Sequence, residues 1–169
     1  NQPVEGVNAT AAMLSLDAVQ LCGSEGMAYC AQIDSLIYKA IHIDTMLPTA
    51  VLMPKLMVLL QRHTMAGHKL ILDTQSDESF GGSGQTFDWN IAASLSGSFR
   101  FSLAGGLTPE NAGDAIKLVR PWGVDTSSGV EINGEKDVKR IEAFVQSVRV
   151  KDKELNHKGI SRIFHRNRR

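Results

Sequence analysis

The chain has too few cysteines for a disulfide scaffold, no excess of either charge, and no apolar run long enough to form a membrane helix. Its two cysteines are Cys22 and Cys30, and Cys22 falls in a run that reads as a buried strand end. A reducing, cytoplasmic setting is therefore expected. Lys+Arg 18 balances Asp+Glu 18, so no global field draws nucleic acid or an anionic membrane, and any anion must be recognised locally. The longest apolar stretches, such as 49–60, are interrupted by Pro54 and Lys55. They fall short of the roughly 20 apolar residues that a membrane helix needs. Neither nucleic acid nor a membrane is an expected partner. No signal peptide is visible, and the chain starts Asn-Gln-Pro rather than with Met, which leaves room for a preceding segment. No Gly-x-Gly-x-x-Gly fingerprint or P-loop follows any strand-like run, which counts against a nucleotide-binding open sheet.

What is present is a rhythm. With 43% hydrophobic and 21% charged residues in 169, the chain can bury a real core as one domain. Short aliphatic runs at 17–22, 36–43, 69–73, 100–104 and 123–126 read as strands. They alternate with helical patterns at 7–15, 27–33, 49–63, 87–94, 109–118 and 136–148. Pro54 is expected to break or kink the third helix early. Asp88 sits where a carboxylate favours a helix start. Thr108-Pro-Glu-Asn111 reads as a helix cap with Pro at the first helical position. In the last helix Val138, Ile141, Phe144, Val145 and Val148 share one face. The expected class is α/β, with about five parallel strands alternating with helices. Such repeats suit either an open sheet or part of an eight-stranded barrel, and periodicity does not choose. The domain is expected to span 1–149, with 150–169 a flexible basic extension able to contact an anionic partner.

Two segments carry the chemistry. Ser102-Leu-Ala-Gly-Gly-Leu-Thr-Pro-Glu-Asn111 and, one repeat later, Gly123-Val-Asp-Thr-Ser-Ser-Gly-Val-Glu131 each end a strand in small residues. Gly105, Gly106 and Gly129 let a phosphate approach backbone N–H groups, Ser127 and Ser128 add hydroxyl donors, and the following helix start supplies a favourable dipole. Paired loops of this kind after successive strands are where barrel enzymes commonly hold phosphate. Singly, Gly-Gly reads as a tight turn and Ser-Ser-Gly as a cap. Together they favour a phosphate site. Asp73 ends the aliphatic strand Leu70-Ile-Leu, either as a turn cap or as a rim carboxyl whose partial burial raises its pKa. Asp125 either binds sugar hydroxyls or orients the neighbouring serines. The stretch 76–86, with Gly81, Gly82 and Gly84, has the composition of a mobile cover or of a plain flexible connection. His42, His63 and His68 fall on different elements at irregular spacing and read as ordinary strand or surface histidines, so no metal site is assigned.

Taken in order, Leu72-Asp-Thr74, Phe80-Gly-Gly-Ser-Gly-Gln-Thr-Phe-Asp-Trp89 and the two glycine-bearing segments resemble the phosphoribosylanthranilate isomerase family. Val19-Gln-Leu-Cys-Gly-Ser-Glu25 resembles that family's fourth-strand motif, and Asn1-Gln2-Pro3 the residues after its third strand. The resemblance covers roughly 1–148. It implies a partial (β/α)8 barrel and an isomerase of tryptophan biosynthesis. The implied reaction is the Amadori rearrangement of N-(5-phosphoribosyl)anthranilate to 1-(2-carboxyphenylamino)-1-deoxyribulose 5-phosphate, with no metal or organic cofactor. On this resemblance Asp73 is the general acid, Gly105, Gly106, Asp125, Ser127, Ser128 and Gly129 bind substrate and phosphate, and Gln20 and Cys22 face the substrate.

The chain also departs from the family. The family's general base is a Cys at the end of its first strand, and a basic residue further along its N-terminal part helps hold the anthranilate carboxylate. Neither is found here, and the first three strands have no counterpart. The chain alone is therefore expected to be inactive and marginal or self-associating. Its expected partners are the small phosphorylated substrate, an N-terminal barrel segment, or fused tryptophan-pathway domains. Cys22 stands where the fourth-strand motif usually has His. Thr126 stands where Val is common, so its hydroxyl needs a local partner. The competing reading is a degenerate half-barrel that binds sugar phosphates without turnover or has no ligand.

Overall fold

The structure, a computed structural model, describes residues 1–44, 46–74 and 88–155. Five parallel strands, β1 (Ala18–Leu21), β2 (Leu36–Ile43), β3 (Lys69–Thr74), β4 (Phe101–Leu103) and β5 (Gly123–Val124), pair strictly in chain order. The intervening helices are α1 (Val4–Met13), α2 (Met27–Cys30), α3 (Thr49–Met65), α4 (Trp89–Leu95), α5 (Ala112–Val119) and α6 (Val138–Leu155). The order β1-β2-β3-β4-β5 never reverses, as it would at the switch point of a doubly wound sheet. With right-handed crossovers this winding puts the helices on one face, as in a barrel wall.

Side-chain alternation agrees. Ile41, Ile43, Leu70, Leu72, Phe101 and Leu103 point into one core with the buried faces of α3, α4 and α5 and with Phe144 of α6. The alternate positions, on the face without helices, are Ala40 and His42, Ile71 and Asp73, Ser102, and Gly123. Ala40, Ile71, Ser102 and Gly123 lie in one row of the pairing register, and His42 is paired with Asp73 in a row nearer the C-terminal ends. Among the described residues β1 and β5 each pair on one side only. No described helix is long and apolar enough to cross a membrane.

Several boundaries differ from expectation, each for a local reason. α3 runs unbroken through Pro54 for 17 residues, so the proline removes one backbone donor without ending the helix. The Thr108 hydroxyl accepts from the Glu110 N–H at 3.3 Å and its carbonyl accepts from Ala112 at 3.0 Å; these bonds close a turn, and α5 starts at Ala112 rather than 109. Asp88 does cap α4, accepting from the Asn90 N–H at 2.9 Å. α6 continues to Leu155, where Lys151 and Glu154 pair at 2.7 Å, so the segment from 150 begins as helix. The rest of that extension and the glycine loop with Gly81, Gly82 and Gly84 lie outside the described residues. A small antiparallel hairpin, β6 (Glu131–Ile132) and β7 (Glu135–Lys136), was not expected. Asn133 and Gly134 turn it, at φ 54° and 83°, as a two-residue hairpin requires.

Leu60, fully buried against the sheet, anchors α3. Leu60→Ala should lower the unfolding free energy by about 2–5 kcal/mol. Val150→Ala, on the exposed side of α6, should shift it by less than about 0.5 kcal/mol in the same urea titration.

Candidate active site

The C-terminal ends of the strands place the expected residues along one rim. Asp73 is the penultimate residue of β3 and half-buried, and His42 sits opposite it on β2. The His42 Nε2 lies 2.7 Å from the Cys22 carbonyl oxygen, which ties the end of β1 to β2. Beyond β4, Ala104 donates to the Leu72 carbonyl at 2.7 Å, and beyond β5, Asp125 donates to the Leu103 carbonyl at 2.9 Å. These bonds carry the sheet register one step past its strands. Asp73, Ala104 and Asp125 therefore follow one another around the rim. Behind them Ser102 and Gly123 keep the face low, and a Cβ on Gly123 would come to 3.0 Å from the Ser102 hydroxyl.

The two glycine- and serine-bearing loops are joined to each other. Gly105 and Gly106 both take positive φ, 86° and 64°, a conformation that favours glycine. Asn111 braces this turn, accepting from the Thr108 N–H at 2.8 Å and donating to the Gly106 carbonyl at 2.9 Å. From the second loop the Thr126 hydroxyl donates to the Leu107 carbonyl at 2.6 Å. This is the local partner its hydroxyl requires. A Cβ on Gly129 would stand 1.8 Å from that same carbonyl oxygen, so the loops touch at a point only glycine permits. Ser128 and Gly129 open a short 3-10 turn, Ser128–Val130. Lys136 holds Ser127 through its carbonyl and hydroxyl, each at 2.9 Å, and Arg140 reaches the Gly129 carbonyl at 3.1 Å and Glu110 at 3.2 Å. Two cations thus lie behind the second loop.

Gln20 and Cys22 project together at the β1 edge, the Gln20 amide donating to the Cys22 sulfur at 3.3 Å. They border a cavity of about 550 Å³ that extends under α1 and touches neither Asp73 nor either glycine loop. The loop after Cys22 is fixed by an ion pair that sequence reading did not single out. Lys39 and Glu25 meet at 2.8 Å with both side chains buried, and Lys39 also donates to the carbonyls of Leu21 and Gly23. Burial would raise the Glu25 carboxyl, but the hydrogen bond and charge of Lys39 outweigh it and hold its pKa below the ordinary value. His42 is likewise a rim residue that the sequence alone did not reveal, since its neighbour Asp73 is 31 positions away and only the β2–β3 register unites them.

The sequence profile described as N-(5'phosphoribosyl)anthranilate (PRA) isomerase matches residues 1–147. The N-(5'-phosphoribosyl)anthranilate isomerase of Dehalococcoides mccartyi is 39% identical over 156 residues, covering 92% of this chain and 70% of that protein. That of Roseiflexus castenholzii is 41% identical over 150 residues, covering 88% and 67%. Among solved structures, phosphoribosyl anthranilate isomerase from Thermotoga maritima superposes with a TM-score of 0.73 at 33% identity, over 89% of this chain and 70% of that one. A phosphoribosyl anthranilate isomerase in complex with reduced 1-(o-carboxyphenylamino)-1-deoxyribulose 5-phosphate superposes with a TM-score of 0.69 at 30% identity, over 89% and 68%.

Two substitutions probe this framework. Thr126→Val should cost about 1–3 kcal/mol in urea unfolding, because it strips a donor from the Leu107 carbonyl. Glu25→Gln leaves the buried Lys39 ammonium without its counter-charge and should cost about 3–5 kcal/mol at neutral pH. Since the folded pKa of Glu25 lies below its ordinary value of 4.5, the pair's contribution is complete above that value and lost as pH falls through the folded one. The wild-type and Glu25→Gln stabilities should therefore converge on acidification; a gap that stays constant with pH would contradict this account.

Proposed function

Because the chain belongs to the N-(5'-phosphoribosyl)anthranilate isomerase family, we propose that its rim holds the substrate's phosphate on the two joined loops and presents Asp73 to the ribose ring oxygen. The enzyme is an isomerase of tryptophan biosynthesis, and its ligand is a small phosphorylated one. The observation that carries the site assignment is the contact of Thr126 and Gly129 with the Leu107 carbonyl, which makes one cradle of two loops at the sheet end that bears Asp73.

In this reading the N–H groups around Gly105, Gly106 and Gly129, with the hydroxyls of Ser127 and Ser128, receive the phosphate oxygens. Lys136 and Arg140 stand behind the second loop, each paired with a carboxylate, Glu131 and Glu110, and their part is to hold its carbonyl oxygens in place. The phosphate fixes one end of the sugar, and Asp125 takes its hydroxyls. Asp73, half-buried, gives its proton to the furanose oxygen as the C1–O bond breaks, leaving an iminium and a carboxylate. A base then removes the C2 proton, the enolamine forms, and it becomes the ketone. No residue of this chain is assigned that base. Gln20 and Cys22 lie at the β1 edge, where they border the substrate's anthranilate end.

The test is complementation of a tryptophan auxotroph lacking this isomerisation, by the chain alone and with the N-terminal barrel segment of a relative co-expressed. Rescue is expected with the segment, and purified material should convert the substrate at a rate that Asp73→Asn lowers by about 10²–10⁴. Undiminished turnover in Asp73→Asn would remove the acid from this position. Gly129→Ala should weaken binding of a product analogue in calorimetry; unchanged affinity would remove the phosphate from these loops.

A further inference from the structure

At the opposite end of the sheet, Cys30, His63 and His68 each bring one potential ligand atom to within 4.8 Å of the others. Their positions in the sequence conceal this, and the fold supplies the reason. α3 ends in a Schellman turn: Gly67, at φ 82°, donates to the Thr64 carbonyl at 3.0 Å, and His68 donates to the His63 carbonyl at 3.0 Å. That turn folds His68 back over His63, with their Nδ1 atoms 2.8 Å apart and ring centroids at 5.1 Å. Cys30 comes from the preceding repeat as the last residue of α2, packed with Leu21 and Ile37. His63 is 1% exposed and Cys30 2%.

Two imidazoles facing each other nitrogen to nitrogen beside a buried thiol form an unusual core contact, because apolar side chains would fill the space without polar groups to satisfy. Burial, then the neighbouring His68 and Lys39, pushes His63 below its ordinary pKa, and burial does the same to His68, so both rings are neutral and ligand-competent near neutral pH. Burial pushes the Cys30 thiol up. The nearby Lys39 charge is balanced by Glu25 at 2.8 Å. The cluster also lies at the C-terminus of the 17-residue α3, the helix end that favours a cation.

We propose that Cys30, His63 and His68 form a zinc site, with a water as fourth ligand. One thiolate and two imidazoles are a donor set that zinc takes tetrahedrally, and three protein ligands leave one position open. A pocket of about 370 Å³ that reaches Cys30 and His68 gives solvent access to that position. Tetrahedral zinc with bonds of roughly 2.0–2.1 Å would set the ring nitrogens ~3.3 Å apart, so the rings part slightly and the sulfur draws in. Binding sends the Cys30 thiol proton to solvent and, on whichever ring carries its proton on the coordinating nitrogen, shifts that proton to the other nitrogen. The site does not involve Asp73 or the glycine loops and stands apart from the proposed activity.

The experiment is titration of the reduced 169-residue chain, without a histidine tag, with Co2+ and then Zn2+ under anaerobic conditions. One Co2+ per chain is expected, with a near-ultraviolet thiolate-to-cobalt band and the intense visible bands of a tetrahedral ion, both abolished by one equivalent of Zn2+. Cys30→Ser should lose the charge-transfer band, and Cys22→Ser should keep it. His68→Gln, at the more accessible ligand, should weaken Zn2+ binding by at least about 100-fold, since even partners of ligands are worth about 10–100-fold. Absence of the band in the wild type, its survival in Cys30→Ser, or unchanged Zn2+ affinity in His68→Gln would overturn the proposal; this last measurement decides it if Cys30→Ser does not fold.

Discussion

Parallel strands that pair in chain order oblige every connecting helix to cross on the same side, and this constraint shapes both ends of the molecule. One face of the sheet is sealed by α3, α4, α5 and α6 through Leu52, Leu60, Ala92, Val119 and Phe144. The other can carry Ala40, Ser102 and Gly123, residues too small to fill a core, because no helix has to pack there. The connections also divide into two classes by position. Those leaving the C-terminal ends are free to be glycine-rich and polar, whereas those returning to the N-terminal ends must turn a helix into a strand within a few residues.

The first class explains the rim. A loop that offers backbone N–H groups to an anion has to leave them unpaired internally, which removes the bonds that would otherwise hold it in shape. Here the shape comes from outside each loop. Asn111 braces the Gly105-Gly106 turn, and Lys136 and Arg140 grip the second loop through its carbonyl oxygens. The Leu107 carbonyl, touched by Thr126 and crowded by Gly129, locks one loop to the other. Preorganisation of this kind lowers the ordering cost that binding would otherwise incur.

Much of the architecture was legible in the chain. The strand at 36–43 was read with its observed bounds, and the other strands within about two residues, because β-branched and aliphatic runs bounded by turn residues are local signals. Helix ends were less so: the Thr108 hydroxyl closes a turn before α5 rather than capping it, and α6 draws on the Lys151–Glu154 pair to outlast its apolar stripe. Periodicity alone does not choose between an open sheet and a barrel wall, since that choice lies in strand order; the motif resemblance supplied the barrel, and the observed order agrees with it. Nor were the pairing of His42 with Asp73 or the meeting of Cys30 with His63 and His68. Each requires a register between strands or repeats, and register is written in no single segment. The Asn133-Gly134 hairpin is a local signal of only two-residue strands, weak beside the longer elements around it.

The second class of connection bears on why the histidine pair stands where it does. A helix can return to its strand over three residues when a Schellman turn reverses the chain, and that motif places the residue after the glycine over the residue five positions earlier. At His63 and His68 the geometry is therefore a property of the backbone, and any two side chains at those positions would meet. Two hydrophobic residues would satisfy packing alone. Here the two imidazoles share a proton between their Nδ1 atoms and the Cys30 thiol turns to the Glu25 carbonyl, whereas a shared cation would draw α2, α3 and the turn before β3 onto one point. Barrel proteins tend to confine chemistry to the C-terminal face and stability to the N-terminal one, so a cation here would act on the fold, leaving the rim free to vary its ligand.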